Sequence, residues 1–451
     1  MSGGASARVV GVDVARALAL LGMMSVHLLP EVHGDGTLTP AFVVSAGRAS
    51  ALFAVLAGVG LALATGGPRP RLRPRLRVTA ATLTRAVVVA LTGLLLATLG
   101  PPVAVILVNY GLLFALACPL LGARPRTLLV TAAAWIVAAP LLSHAVRGHL
   151  PTGPGDQPSL STLGEPVEML THLLLTGYYP VLLWAPYVLV GLAVGRLRLD
   201  DRVTVARIAL AGLLLASAAR IVSDVLLRWR GWAALDAAGP LGVMQPQLGL
   251  DQLQSRGQYG VPPTTTWWWQ AVASPHTGTP FDLATTIGTA LVVIGVCVLL
   301  AQAAARTSSA WLSAPRWAIA VLAAAGSMTL TLYSLHVVAA DATVGTVTSD
   351  SARGRLLLTH VIAALLVAVL WKAPRPNRWR AGPTARAGRA VGLPGLAVGR
   401  RGPLEAVVAW ASTLAADAAE RHATTGAVDA TDRPELGAEG SQAPTGETAP
   451  P

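Results

Sequence analysis

Charge is scarce in this sequence. Asp, Glu, Lys and Arg make up 12% of its 451 residues, against 53% hydrophobic residues and a mean hydropathy of +0.58. Soluble domains carry about 25% charged residues, so a soluble globular fold of this length is excluded. Cysteine is nearly missing too: Cys118 and Cys297 both lie in long apolar runs, and no disulfide framework is indicated. Cys and His nowhere fall at metal-ligand spacing, so no metal is expected. Acidic residues number 22 against 34 basic ones, a formal net charge of +12. The excess sits between apolar runs and in the C-terminal region, which reads as membrane topology rather than nucleic-acid binding.

What the chain has instead is apolar length. Ten segments approach the roughly 17–25 residues of a membrane-crossing helix: Val9–Leu29, Ala41–Ala64, Thr82–Leu99, Val103–Leu121, Thr127–Ser143, His172–Val194, Val203–Leu227, Leu283–Ala304, Trp317–Ala339 and Leu356–Trp371. The fold class expected is an all-α polytopic helix bundle of about ten transmembrane helices. Arginines cluster at Arg69–Arg77, Arg124 and Arg126, Arg196–Arg202, Arg306 and Arg316, and Lys372–Arg380. All fall on one side if both termini are cytoplasmic. Asp13 and Arg16 interrupt the first apolar run and Pro30-Glu31 follows it, which argues against a cleaved signal peptide. Residues 1–372 then form one membrane domain in a multi-pass plasma-membrane protein. Residues 373–451 read as a largely disordered cytoplasmic tail, within which Leu404–Glu420 has the pattern of one amphipathic helix.

Ionisable side chains in a membrane helix cost roughly 2.5–3.5 kcal/mol each on insertion scales, and so usually face protein or a wet cavity. In the first segment Asp13, Arg16 and His27 share the stripe 13, 16, 20, 24, 27. The ninth places Thr329, Tyr333 and His336 on one face. Eight of the nine histidines, His27, His33, His144, His149, His172, His276, His336 and His360, fall on the expected outer side, and imidazole suits proton transfer near neutrality. His27 and His336 are candidate catalytic groups expected to approach each other. Arg48 is a candidate anion or oxyanion clamp. Asp13 and Arg16, expected to pair, join Asn109, Tyr333 and His276 as candidate substrate-binding residues. Arg220 and Asp224 have the spacing of an internal ion pair. The Trp267-Trp268-Trp269 run is suited equally to stacking on a sugar and to the membrane interface.

The opening Arg8–Met23, with Val12-Asp13 and Arg16, resembles the start of the heparan-α-glucosaminide N-acetyltransferase-like group, which includes bacterial membrane proteins known only as domains of unknown function. Leu52–Gly58, Pro275–Thr279, Met328–Tyr333 and Arg401–Glu405 look similar to that bacterial set. Ala17 stands where the group usually has glycine. The resemblance implies a membrane acyltransferase. Acyl-CoA, expected to be acetyl-CoA, would be the cytoplasmic donor, and an extracytoplasmic glycan or cell-envelope molecule the acceptor, with the lipid bilayer and a homodimer as further partners. A bundle histidine would deprotonate the acceptor or carry the acyl group, and Arg48 or Arg16 would stabilise negative charge. Two other readings use the same residues: a transporter or flippase of an anionic or glycan-linked substrate, and a non-catalytic scaffold.

Overall fold

The computed structural model describes residues 9–70, 75–150, 157–238, 256–258, 260–306, 313–373 and 400–431, with side chains described to 421 in the last segment. Arg8, Arg71 and Arg73, the stretch 374–399, His422 and the end of the tail lie outside the described residues or side chains. Fifteen α-helices run in chain order among the described residues: α1 Val10–Leu28, α2 Pro40–Ser45, α3 Arg48–Ala64, α4 Arg75–Ala97, α5 Leu107–Ala117, α6 Pro125–Arg147, α7 Pro166–Thr171, α8 Val181–Gly195, α9 Arg202–Leu226, α10 Trp232–Ala237, α11 Pro280–Arg306, α12 Ser313–Gly326, α13 Thr329–Thr343, α14 Asp350–Lys372 and α15 Pro403–Thr431. Among the described residues the only β-pairing is one isolated bridge, Val32 with Leu38.

Among the described residues, seven helical spans are long and apolar enough to cross a membrane, and nine if each of two bent pairs counts as one. The expected count of about ten is thereby reduced, and the reason is local. The fourth expected span yields only the 11 residues of α5, about 17 Å at 1.5 Å per residue, short of the ~30 Å hydrocarbon core. Residues 103–105 stay outside it because Gln157 captures their backbone: its Oε1 accepts from Val105 N–H at 2.7 Å, and its Nε2 donates to the Val103 carbonyl at 3.1 Å. The sixth and ninth expected spans are the bent pairs, turned by 55° between Thr176 and Val181 and by 77° between Gly326 and Thr329.

Helix starts follow side-chain chemistry. Thr39, Asp201 and Ser349 accept backbone N–H groups at the N-termini of α2, α9 and α14, satisfying donors the helix cannot. At the other end of α3, Arg196 donates to the Ala62 and Gly67 carbonyls, the Thr65 hydroxyl and the Leu121 carbonyl, all within 3.0 Å. One buried guanidinium so ties α3, α8 and the end of α5 together.

α1 is central, packed against α3, α11 and α12. Small residues allow this closeness. A Cβ on Gly326 would collide with the Asp13 carbonyl, so the bend between α12 and α13 is pressed directly onto α1. α15 packs along α4, where Arg77 pairs with Asp417 at 3.2 Å and also with Glu420. This helix extends past the Leu404–Glu420 stretch read from sequence. Val408 is buried while Val407 and Trp410 face outward.

Candidate functional site

The helical repeat places His27 and the Asp13/Arg16 pair on one stripe of α1, and Arg16 and His27 stand about 16 Å apart along the axis. Each anchors a different site.

At the His27 end, α1, α13 and α14 meet. His27 Nδ1 lies 3.1 Å from His336 Nε2, and the two rings are within 6° of parallel. His336 Nδ1 lies 3.0 Å from His360 Nδ1. The His360 Nε2 is 3.5 Å from the Thr343 hydroxyl. The structure thus brings the two expected histidines into contact and adds a third. His336 and His360 are buried, whereas His27 is half-buried.

His276 stands near this group, in the loop leading into α11. Its Nε2 accepts the Gly47 N–H at 3.2 Å, and its ring packs on Tyr178 at 4.9 Å between centroids. Burial lowers its pKa to about 4, so the ring is neutral near pH 7 and available as an acceptor. Gly47, at φ +68°, is the break between α2 and α3. The left-handed backbone there is cheap only for glycine, and its N–H would otherwise be orphaned beside a membrane helix. Asp282 closes the loop from the other side, its Oδ2 accepting from Gly278 N–H at 2.9 Å.

Arg48, expected as an anion clamp, donates instead to the Val43 carbonyl at 2.5 Å. It fastens the end of α2 and adjoins Gly47 in sequence. Asn109 is buried and donates to the Tyr179 carbonyl at 2.8 Å. Tyr333 is buried and donates to the Ala104 carbonyl at 3.4 Å. Both join neighbouring segments rather than the imidazoles. Trp267 packs its ring on His144, 4.3 Å between centroids, and Trp269 is buried. Arg220 meets Asp224 at 3.3 Å and also donates to the Ala273 carbonyl.

At the other end of the stripe, Arg16 Nη1 donates to Asp13 Oδ1 at 3.1 Å, with Asp13 buried. Arg16 borders a cavity of about 320 Å³, with Arg85 and Tyr110 on further walls, the α12–α13 bend across it, and Arg401, Glu405 and Val408 supplied by the C-terminal segment. Glu405 is committed elsewhere. Its carboxylate accepts from Leu330 N–H, Thr331 N–H and the Thr331 hydroxyl at 2.6–3.2 Å, capping α13 where the helix dipole favours an anion. Among the described residues no carboxylate lies within ion-pair distance of Arg85 or Arg401. The cavity therefore presents net positive charge.

Four contributors were not singled out by sequence. His360 and Arg85 carry the signal that flagged His27 and Arg16, an ionisable group inside an apolar helix. Arg401 and Glu405 are marked only by the family-like stretch they delimit and not as site residues, because their place depends on the C-terminal chain returning to the bundle. That return is fastened by Trp371 Nε1 donating to the Arg401 carbonyl at 2.9 Å, and by Arg400 donating to the Trp371 carbonyl at 2.7 Å and stacking on its ring.

Among the described residues no group of three or more His, Cys, Asp or Glu is arranged to hold a metal ion. No curated protein and no solved structure matches the chain. A family model described as heparan-alpha-glucosaminide N-acetyltransferase, catalytic, matches residues 8–225, covering α1 to α9 and with them Asp13, Arg16, His27, Arg48, Arg85 and Asn109. The match makes the N-terminal half of the chain similar to the catalytic region of that acetyltransferase family.

Proposed function

We propose that this protein is a membrane acetyltransferase that takes an acyl group from acetyl-CoA on the cytoplasmic side and delivers it to a hydroxyl or amine of an extracytoplasmic glycan or envelope acceptor. The observation that carries this reading is the placement, on one helix, of a cation-lined cavity and a hydrogen-bonded imidazole pair. Arg16, Arg85 and Arg401 suit the phosphates of a CoA donor. The long pantetheine arm is the part of such a donor able to span the ~16 Å to His27. There His27 would take the proton from the acceptor X–H as X attacks the thioester carbonyl. The C–S bond breaks, and the CoA thiolate leaves and is protonated.

Counting the short α5 as a further crossing keeps both termini cytoplasmic, and the positive-inside bias then favours the arginine cavity on the cytoplasmic side and the histidines toward the other face. In this reading Arg48 holds the α2–α3 break that turns the Gly47 N–H toward His276, and residues 1–372 are the catalytic membrane domain.

The test is purified protein in lipid with acetyl-CoA labelled in the acetyl group. Transfer of label to an added amine or hydroxyl acceptor, with stoichiometric release of CoA thiol, is the expected result. A second reading, a transporter of an anionic substrate, is favoured by the bent pairs, since discontinuous helices mark transporter binding sites. It predicts label crossing the membrane as intact thioester with no thiol released, and that outcome would overturn the enzymatic reading.

A further inference from the structure

The three imidazoles at the outer end of α1, α13 and α14 have more order than a contact pair requires. Their hydrogen bonds have directions, and those directions follow by elimination from Thr343. A threonine hydroxyl has one proton, and Thr343 gives it to the Ala339 carbonyl at 2.6 Å. Toward His360 Nε2, 3.5 Å away, it is an acceptor, so His360 carries its proton on Nε2. The His360 Nδ1 is then a bare lone pair facing His336 Nδ1 at 3.0 Å, and His336 must donate from Nδ1. That leaves His336 Nε2 bare and facing His27 Nδ1 at 3.1 Å, so His27 donates from Nδ1. With three neutral rings no other assignment satisfies every contact. The near-parallel His27 and His336 rings, 6° apart, suit an in-plane N–H to lone-pair bond.

The last step leaves His27 Nε2 without a proton. Among the described residues it has no hydrogen-bond partner, and His27 is the one member of the three that is only half-buried. We propose that Thr343 and His360 are positioning residues: acting through His336, they lock His27 in the Nδ1–H tautomer and hold its Nε2 lone pair open toward substrate. An orienting partner on one imidazole nitrogen sets what the other can do. Here the orienter is itself oriented twice over, across three helices. His27 and Thr343 share no contact, yet the proton position on one depends on the other.

Resting on the acyl-transfer reading, the consequence is a proton path. When His27 Nε2 takes the acceptor proton, its Nδ1–H moves onto His336 Nε2. The His336 Nδ1–H stays bonded to the His360 Nδ1 lone pair, and the His360 Nε2–H to the Thr343 hydroxyl oxygen. His27 gains one proton and gives up one, so the positive charge is shared with His336 rather than confined to His27 while the acceptor attacks.

The test is read without turnover. Full-length protein in lipid, labelled with 15N-histidine, is examined by NMR, in which protonated and bare ring nitrogens resonate far apart. His27 Nδ1 is expected protonated and Nε2 bare. Thr343→Val, which touches neither His27 nor His336, and His360→Leu are both expected to move the His27 signals toward the Nε2–H tautomer. His360→Asn, which keeps an acceptor at the Nδ1 position, is expected to preserve the wild-type pattern. In the acyl-transfer assay His360→Leu lowers kcat roughly 10–100-fold with KM little changed, and His360→Asn recovers most of it. A wild-type His27 protonated on Nε2 overturns the proposal, even if no variant folds. So does a His27 pattern indifferent to both Thr343→Val and His360→Leu. If the wild-type pattern and its response are as described but no acyl transfer occurs, the locked tautomer stands and the acyltransferase reading falls.

Discussion

The two ends of α1 handle polarity in opposite ways. At the N-terminal end a buried carboxylate and a guanidinium are paired at 3.1 Å, and further arginines gather around a cavity of about 320 Å³. At the C-terminal end no carboxylate among the described residues joins the histidine contacts; His27, His336, His360 and Thr343 are linked in a row of hydrogen bonds. Charge held in a low-dielectric bundle requires a partner, and at the first end arginine outnumbers carboxylate around the cavity. Neutral imidazoles need only hydrogen bonds, so the second end can be close-packed and still exchange protons. In the proposed reaction the first end would bind charge and the second would move it.

The largest effect expected belongs to the second end. His27→Gln should lower acetyl transfer by roughly 10²–10⁴-fold, the usual loss of a general base, with thermal stability almost unchanged. A variant that loses stability and activity together would make His27 a packing residue and erase the contrast.

At the first end the signature should be stability. Asp13→Ala leaves Arg16 in the bundle without its carboxylate, and removing one partner of a buried pair costs about 3–5 kcal/mol. The lower part of that range applies, because the Arg16 side chain is 24% exposed. The double variant Asp13→Ala/Arg16→Ala should be more stable than Asp13→Ala alone, as measured by denaturant unfolding in detergent. Equal stability of single and double variants would mean that the pair is solvated.

Glu405→Gln tests whether the C-terminal segment belongs to the first end. The charged cap on three donors of α13 is weakened, at a cost of about 1–2 kcal/mol. Protease accessibility of residues 400–421 should rise, and the KM for acetyl-CoA with it. A KM unmoved while α15 becomes accessible would separate that segment from donor binding.

The smallest effect is in pH. Burial lowers the pKa of His276 from 6.5 to about 4. The unfolded chain therefore binds more protons between those values, and the stability this residue contributes is complete above pH 6.5 and lost as pH falls toward 4. His276→Asn should flatten part of the stability profile in that window and leave it unchanged above pH 7.

Much of this comparison was legible in the sequence, because ionisable residues in apolar runs are conspicuous and the 3.6-residue repeat is dependable. Asp13, Arg16 and His27 fall on one face by arithmetic alone, and His336 follows from the same rule. Legibility ended wherever the chain departs from regular helix. The fourth expected span shrank because Gln157, some fifty positions later, captures the backbone at 103–105. The ninth bends at Ser327-Met328, just where Gly326 sits against the Asp13 carbonyl. Arg48, attractive as a lone arginine near a helix end, donates to the Val43 carbonyl and so fastens α2, a contact its side-chain chemistry does not announce. Its neighbour Gly47 makes the functional-looking contact through a backbone N–H, which side-chain chemistry does not advertise.

The sequence by itself determined that this is a helical membrane protein, that it resembles a family of membrane acyltransferases, and which of its buried faces are polar. Those properties depend on composition and on the period of a single helix. Which polar faces meet was decided by the tertiary structure. His360 became the third member of the imidazole chain because α14 packs where it does, and Arg401 entered the cavity only when the C-terminal segment folded back onto Trp371. A helix's own repeat fixes which residues share a face. The partner of that face is chosen by close-packed glycines, bends and returning chain, whose positions depend on every other helix at once.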